Sequence, residues 1–595
     1  MIVPEFDLLK SKIVREAMMS LRPEKLKEHL EFLSSKPHLS GTHRSEVDVV
    51  NYILREFGQN LDQAFKVPYT ILHQYPDPNN PNKLQVIDAK GDVVMDAGMH
   101  EAAIPGIDTD SVPGYLAYSP TGTVEGDIIF VNYGTYPDFD KLEKNNISVK
   151  GFICLARYGG GHRGEKVRNC HERGGIATII FSDPKAVSPL GLDKVYPNSQ
   201  FVDGTALQRG ALYTYGDPET PGYPSIKEAL RYPNTSDMPQ IPGLVIGYDD
   251  ARLLFGYMGG DVVETTPELT AKWNMTYRRG PLKPEHAGMK VRLTVNNQWK
   301  RVEVFNVIGV LKGSHEPDRY SMLGNHHDAW ARGTIDPSSA TAPMLEQAYV
   351  LGQLVKKGIW RPRRSIIFGV WAAEEIAIAG SGEWVEDKFL LLNHGAVGYV
   401  NVDNCPSGPS FVPYASPSLK NTFYTAAQLV PHGNQTLLEF WREFENVIAP
   451  ALPDVRLTHG GADNNAFNFY AGIPAVALTF RPDPKKYSAT YASYHTAYET
   501  VDLYERFIDK DYSGMKRCAQ TQLVLTLYLS EAELLPYNMM DLGDALSTAY
   551  GKLEPKFTPY KDHTIDIGWL KKEITLFKTA ASEWHKWLSK QKTFE

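Results

Sequence analysis

Cysteine is scarce: only Cys154, Cys170, Cys405 and Cys518 occur among 595 residues. No two stand in a C-x-x-C spacing, which argues against a zinc ribbon or a thioredoxin-type site. Four cysteines spread this widely do not read as a disulfide framework, and they leave the redox compartment open. No apolar run approaches the roughly 20 residues of a membrane span, and the opening MIVPEFDLLKSK lacks the apolar stretch of a signal peptide. Positive charge is not in excess. The net charge is −8 with both signs interspersed, which gives no electrostatic footprint for nucleic acid.

Several catalytic signatures are missing too. There is no HExxH, no complete P-loop and no G-x-S-x-G elbow; AGSGE around Ser381 does not fit one. YGGGHRGEK, residues 158–166, is glycine-rich but lacks the helix-opening GK[ST]. It reads as a flexible loop delivering Arg163 rather than as a nucleotide site. Internal repeats, low-complexity tracts and long charge runs are absent.

What remains is an ordinary globular composition, 42% hydrophobic and 22% charged. The length exceeds one hydrophobic core and predicts roughly two to four domains. N-x-S/T sequons stand at Asn146, Asn234, Asn274 and Asn434, about as many as chance places in a long chain.

Leu26, Leu30 and Leu33 fall at helical spacing. Ser35, Pro37, Ser40 and Gly41 break the pattern before a second helix. From about Val67 to Lys300, short β-rich runs such as GDIIFVNY and GFICLARY alternate with turns, predicting a mostly β domain with a few helices. Past Val302, VFNVIGVLKG, YSMLGNHHD, SIIFGVWAAEE, AVGYVNVDN and IPAVALTF read as strands. The first two are followed by a helix through Met344, Leu345, Ala348, Leu351 and Val355. Apolar strands alternating with helices predict an α/β domain whose largely parallel sheet is covered on both faces. After about Leu534 the chain turns helical. Leu570, Ile574, Phe577, Ala581, Trp584 and Leu588 make one apolar stripe, packed either on the body or in a bundle completed by other sequence. The expected division is 1–66 and 301–533 for the α/β domain, 67–300 for the β-rich insert and 534–595 for a helical region.

Ligands gather beyond the carboxyl ends of parallel strands. The polar residues expected there are His326, His327 and Asp328, then Glu374 and Glu375, then Asp403, with His495 in a later loop and Asp336 before the next helix. Histidines and carboxylates without cysteine suit Zn²⁺, with Mn²⁺ or Co²⁺ next. Strand alternation sends neighbouring side chains to opposite faces. One of Glu374 and Glu375 can then hold a metal while the other takes a proton from water, the division of labour of metal-assisted hydrolysis. The same alternation places His326 and Asp328 on one side, with Asp328 orienting the imidazole, and His327 on the other. The turn-rich GTIDP segment can fold Asp336 back over the metal.

At these residues the sequence resembles the co-catalytic zinc peptidases typified by glutamate carboxypeptidase II, the N-acetylated-alpha-linked acidic dipeptidases. The likeness covers nearly the whole chain. It includes KPHLSGT, SPTGTVEGDIIFVNYG, ARYGGGHRGEKVRN, GDPETPGYP, GNHHDAW, GTIDP, SIIFGVWAAEE, NVDN and YHTAYETVD. The resemblance implies an α/β peptidase domain interrupted by a protease-associated, or apical, domain, then a helical dimerisation domain that is incomplete here. It implies two zinc ions, one held by His326 and Asp403, the other by Glu375 and His495, with Asp336 bridging. Glu374 matches the general base. Thr220, Tyr223, Glu383 and Glu386 match a structural calcium site. Arg163 and Tyr494 match residues that contact substrate beyond the scissile bond. A homodimer at the cell surface or outside the cell, and a small peptide as substrate, are implied likewise.

There are departures. The family's arginine cluster for acidic substrates aligns with Pro413, Ala477 and Thr479. An asparagine that clamps the terminal carboxylate aligns with Ala211, and His162 replaces a phenylalanine. The family's usual C-terminal end and N-terminal membrane span have no counterpart in this sequence. With Arg163 left to take a terminal carboxylate, the expected activity is that of a di-zinc carboxypeptidase. The alternatives are an aminopeptidase or dipeptidase on the same metal core, and a non-catalytic protein of the transferrin-receptor kind.

Overall fold

A computed structural model describes residues 7–233, 237–264, 267–557 and 566–591. The sequon at Asn234 lies outside the described residues. An eight-stranded sheet forms the centre, in the order Gln63–Tyr75, Gln298–Leu311, Arg364–Trp371, Glu316–His326, Ala396–Asn401, Ala475–Arg481, Ser410–Ala415 and Arg456–Leu457. Its four middle strands run parallel. They are the apolar runs expected for strands covered on both faces, and Arg364–Trp371 is buried at every position. The joins to the outer strands are antiparallel on both sides, so the sheet is mixed.

Helices Pro23–Leu33, Val50–Asn60, Ser338–Lys356 and Ser513–Glu531 pack against one another and the sheet. Parallel neighbours need long crossovers. The connection from Glu316–His326 to Arg364–Trp371 is the helix Ser338–Lys356, preceded by the turn that carries Asp336.

The inserted stretch holds two four-stranded sheets. One is antiparallel, from Val93–Asp96, Lys83–Ile87, Lys290–Val295 and Gly122–Gly126. The other is parallel throughout: Gly243–Ile246, Ala177–Phe181, Ile153–Arg157 and Ile128–Phe130. Helices Tyr136–Lys144 and Arg163–Glu172 make its crossovers. This half of the insert is therefore α/β rather than mostly β. The signal lay in ICLAR and ATIIF, buried at every position as strands inside a covered sheet must be.

All four cysteines are joined, Cys154 to Cys170 and Cys405 to Cys518, which corrects the reading that they form no disulfide framework. The first ties a strand of the parallel insert sheet to the helix Arg163–Glu172. The second ties the loop after Ala396–Asn401 to the helix Ser513–Glu531 across 113 residues of sequence. Spacing along the chain carried no trace of a pairing made by the tertiary fold.

The helix Gly568–Gln591 pairs with Met539–Phe557. Of its apolar stripe, Ile574 and Ala581 are buried, while Trp584 is 50% exposed and stacks on the equally exposed Trp587.

Candidate metal centre and catalytic site

The strand Glu316–His326 ends on a buried histidine. His326 Nδ1 lies 3.0 Å from the backbone carbonyl of Asp328. A carbonyl only accepts, so Nδ1 carries a proton and Nε2 is the nitrogen turned toward the carboxylates. Nε2 then faces Asp336 Oδ1 at 3.0 Å. His495 repeats the pattern. Its Nδ1 lies 3.0 Å from the Arg209 carbonyl, and its Nε2 lies 3.1 Å from Glu375 Oε2 and 4.0 Å from Asp336 Oδ2. Glu375 Oε1 is buried without a hydrogen-bond partner. Two imidazole nitrogens set against carboxylate oxygens in a buried pocket mark a place where a cation can sit. Donor atoms of Asp336, Glu375 and His495 lie within 4.8 Å of one another, close enough to share one ion.

Asp336 offers one oxygen to each histidine. It stands just before Pro337 at the head of the helix Ser338–Lys356. Its own N–H donates to Glu499 Oε1 at 2.5 Å, and Tyr491 donates to the same oxygen at 3.0 Å. Asp403 lies past the end of Ala396–Asn401. Its Oδ1 accepts from Asn401 at 2.8 Å, and it lines a cavity of about 250 Å³ together with Asp336. These histidines and carboxylates are donors of the type that holds zinc.

Glu374 and Glu375 do not sit on an extended strand, as alternation assumed. The strand ends at Trp371, and Ala373 takes a left-handed turn with φ 54° before the pair. The turn still separates them. Glu375 Oε2 accepts from Trp330 at 2.7 Å and faces His495, while the Glu374 N–H donates to Asp328 Oδ1 at 2.9 Å. Asp328 acts on His326 mainly through its carbonyl, since its carboxylate is 3.6 Å from Nδ1. His327 points away, to the Phe305 carbonyl at 3.1 Å and Ser45 Oγ at 3.4 Å.

Burial, then the neighbouring carboxylates, pushes Glu374 and Glu375 well above the usual carboxylate range. The same causes raise Asp403 to about 6. For His326 burial works downward, but hydrogen bonds to Asp328 and Asp336 hold it well above the ordinary imidazole value. His495 is pushed down to about 3 by burial and then by Arg163. An acidic cluster this crowded is the setting a divalent cation relieves.

Arg163 opens the helix Arg163–Glu172 behind an N-terminal cap made by His162, so the glycine-rich loop does begin a helix. Its guanidinium packs against Gly210, where a Cβ would stand 2.3 Å from Cζ. Its Nε is buried with no hydrogen-bond partner. Tyr494 stacks on His495 at 3.5 Å between ring centroids. Arg163 and Tyr494 line a cleft of about 700 Å³ between the insert and the 488–494 loop. Tyr494 also lines the smaller cavity, where Ala477 and Thr479 stand with Arg481. Pro413 and Ala211 are buried in their strands.

Thr220, Tyr223, Glu383 and Glu386 gather around the 217–225 loop. Glu383 accepts from the N–H of Asp217 at 2.8 Å and of Ser225 at 2.6 Å. Glu386 Oε2 is buried and unpartnered, and burial raises Glu386 to about 7. Glu383 is thus held by backbone N–H groups, while the half-buried Glu386 beside it keeps one carboxylate oxygen without a partner.

Sequence reasoning missed Asp463, Glu499, Trp330 and the Arg209–Glu101 pair. Asp463 is fully buried and accepts from Ser381 Oγ at 2.6 Å. Burial raises it to about 8. Trp330 and Glu499 stand inside motifs already singled out, HDAW and YETVD. Asp463 and Glu101 had no local signal.

A doubly covered sheet with histidines and carboxylates at its strand ends, joined to an inserted domain that walls the cleft, defines a metal-dependent peptidase. Residues 306–522 match the model of peptidase family M28, and residues 113–214 match the PA domain. The aminopeptidase NAALADL1 of Rattus norvegicus is 32% identical over 96% of this chain and 79% of its own. A glutamate carboxypeptidase 2 homolog of Caenorhabditis elegans is 31% identical over 89% of this chain and 71% of its own. Among solved structures, an aminopeptidase from Aneurinibacillus sp. strain AM-1 superposes with a TM-score of 0.51 at 18% identity, covering 88% of this chain and 97% of its own. The chain belongs to peptidase family M28 and is a metallo-exopeptidase.

Proposed function

We propose that this protein is a di-zinc carboxypeptidase that removes the C-terminal residue of short peptides. The observation that carries the two-metal reading is Asp336, whose two oxygens face two different histidines, each with its Nδ1 committed to a carbonyl. His326 and Asp403 would hold one ion, Glu375 and His495 the other, with Asp336 between. When bound, the ions supply Lewis acidity for the scissile carbonyl and its attacking water. Glu374 takes the proton from that water and returns it to the leaving amine. Trp330 and Asp328 hold Glu375 and the Glu374 backbone in place.

Arg163, half-buried at the cleft with its Nε unpartnered, supports the carboxypeptidase mode: its guanidinium is a fitting partner for a terminal carboxylate. The competing aminopeptidase mode is the one for which the rat relative is named. A panel of peptides blocked at one end or the other separates them. Arg163→Ala is expected to raise KM about tenfold or more for peptides with a free C-terminus and to leave C-terminally amidated ones unaffected. Equal effects on both would sink the carboxypeptidase mode. Metal-free protein without turnover would sink the metal centre itself.

The same reading extends further. Thr220, Tyr223, Glu383 and Glu386 form a structural calcium site where the insert meets the peptidase sheet. The domain division is 1–66 with 301–533, 67–300 and 534–595. The exposed tryptophans of Gly568–Gln591 support a homodimer built on the helical region. Two disulfides and exposed sequons at Asn146, Asn274 and Asn434 support an extracellular or cell-surface location.

A further inference from the structure

His495 takes a left-handed backbone conformation, φ 61°, which a side chain of its size seldom adopts without being held. Two residues of the inserted region hold it. The Arg209 carbonyl receives His495 Nδ1 at 3.0 Å, and the His495 carbonyl receives the Arg209 N–H at 3.3 Å and Nη1 at 3.4 Å. The Arg209 side chain is fully buried and spends all its nitrogens. Nη1 and Nη2 pair with Glu101 at 2.7 and 2.8 Å, and Nε donates to the Val112 carbonyl at 3.0 Å. Glu101 Oε1 also accepts the N–H of Ala497 at 2.9 Å. The ion pair therefore grips the 495–497 turn at two points, the His495 carbonyl and the Ala497 N–H.

A buried ion pair is a poor device for stability alone, because desolvating both charges cancels much of their attraction. Here both partners spend hydrogen bonds on one strained turn. We propose that Arg209 and Glu101 are positioning residues through which the inserted domain sets the tautomer and backbone of His495. The Glu375–His495 half of the metal centre is then built by two domains, while the His326–Asp403 half belongs to the peptidase sheet. This inference rests on the proposed metal centre. Partners outside the coordination sphere that fix a ligating imidazole commonly change metal affinity by about 10- to 100-fold.

The test is zinc binding by the full chain in competition with a chromogenic chelator. Glu101→Gln is expected to weaken one of two zinc equivalents by about 10- to 100-fold and leave the other as in the wild type. Excess zinc should restore kcat, with KM little changed. Arg209→Lys, which keeps the charge but loses the fork, should do the same and serves if Glu101→Gln does not fold. Glu346→Gln, which breaks the ion pair between Glu346 and Arg22 elsewhere in the molecule, should lower the unfolding midpoint without altering either zinc affinity. Wild-type affinity at both sites in Glu101→Gln and Arg209→Lys would overturn the inference. So would equal weakening of both zinc equivalents, or the same loss in Glu346→Gln. A wild type that binds no zinc would overturn the metal centre instead.

Discussion

At the scale of single residues, the adjacent glutamates divide by their partners rather than by strand alternation. Glu375 is fixed by Trp330 and faces His495; the Glu374 backbone is tied to Asp328, which leaves its carboxyl for the proposed proton transfer. Glu374→Gln should therefore retain wild-type zinc content and lose activity by about 100-fold or more. Metal analysis beside a turnover assay checks this, and loss of zinc in that variant would mean that the two roles are reversed. The choice of His326 over His327 was legible from alternation alone, because only one of two neighbours can face the strand-end site. The fixing of His326 through the Asp328 carbonyl was not legible, since backbone groups leave no mark in a sequence.

At the scale of elements, the strand Gln63–Tyr75 carries a buried histidine near its end. His73 is stacked on Tyr75 at 4.0 Å, its Nε2 has no partner, and burial lowers its pKa to about 3. In the unfolded chain a histidine titrates near 6.5. Between pH 6.5 and 3 the unfolded state thus binds the extra proton, so stability falls as the pH falls through that window. His73→Phe keeps a ring on Tyr75 and should make that decline shallower by up to about 1.4 kcal/mol per pH unit. Urea midpoints measured from pH 7 to 4.5 give the slope; an unchanged slope refutes the assignment. The elements themselves were mostly legible, because IIFGV and YVNV are too uniformly apolar to be half-exposed strands. The insert misled by its short runs. Without the crossover helices in view, its parallel strands look like those of any β-rich domain.

At the scale of the whole molecule, two disulfides brace different parts of the fold. Cys154–Cys170 closes a short loop between a strand and a helix of the insert, and Cys405–Cys518 closes a loop of 113 residues beside the proposed metal centre. Chain entropy gives about 3 kcal/mol for a loop of the first kind and nearly 5 kcal/mol for the second. Replacing Cys405 and Cys518 with serine should cost more stability than replacing Cys154 and Cys170. Denaturant unfolding of the two double variants checks the order. The cleft that carries Arg163 also belongs to this scale, since one wall comes from the insert and the other from the 488–494 loop.

The sequence by itself determined the apolar strands of the central sheet, the contrast between His326 and His327, and which histidines and carboxylates stand near the strand ends. Periodicity and residue chemistry are local properties, written in the order of the chain. Only the tertiary structure decided that the four cysteines pair, that Asp336 reaches both histidines, and that Arg209 and Glu101 seize the turn at His495. Each of those depends on groups brought together from distant positions. Their partners are set by how a mixed sheet and an inserted domain pack, not by spacing.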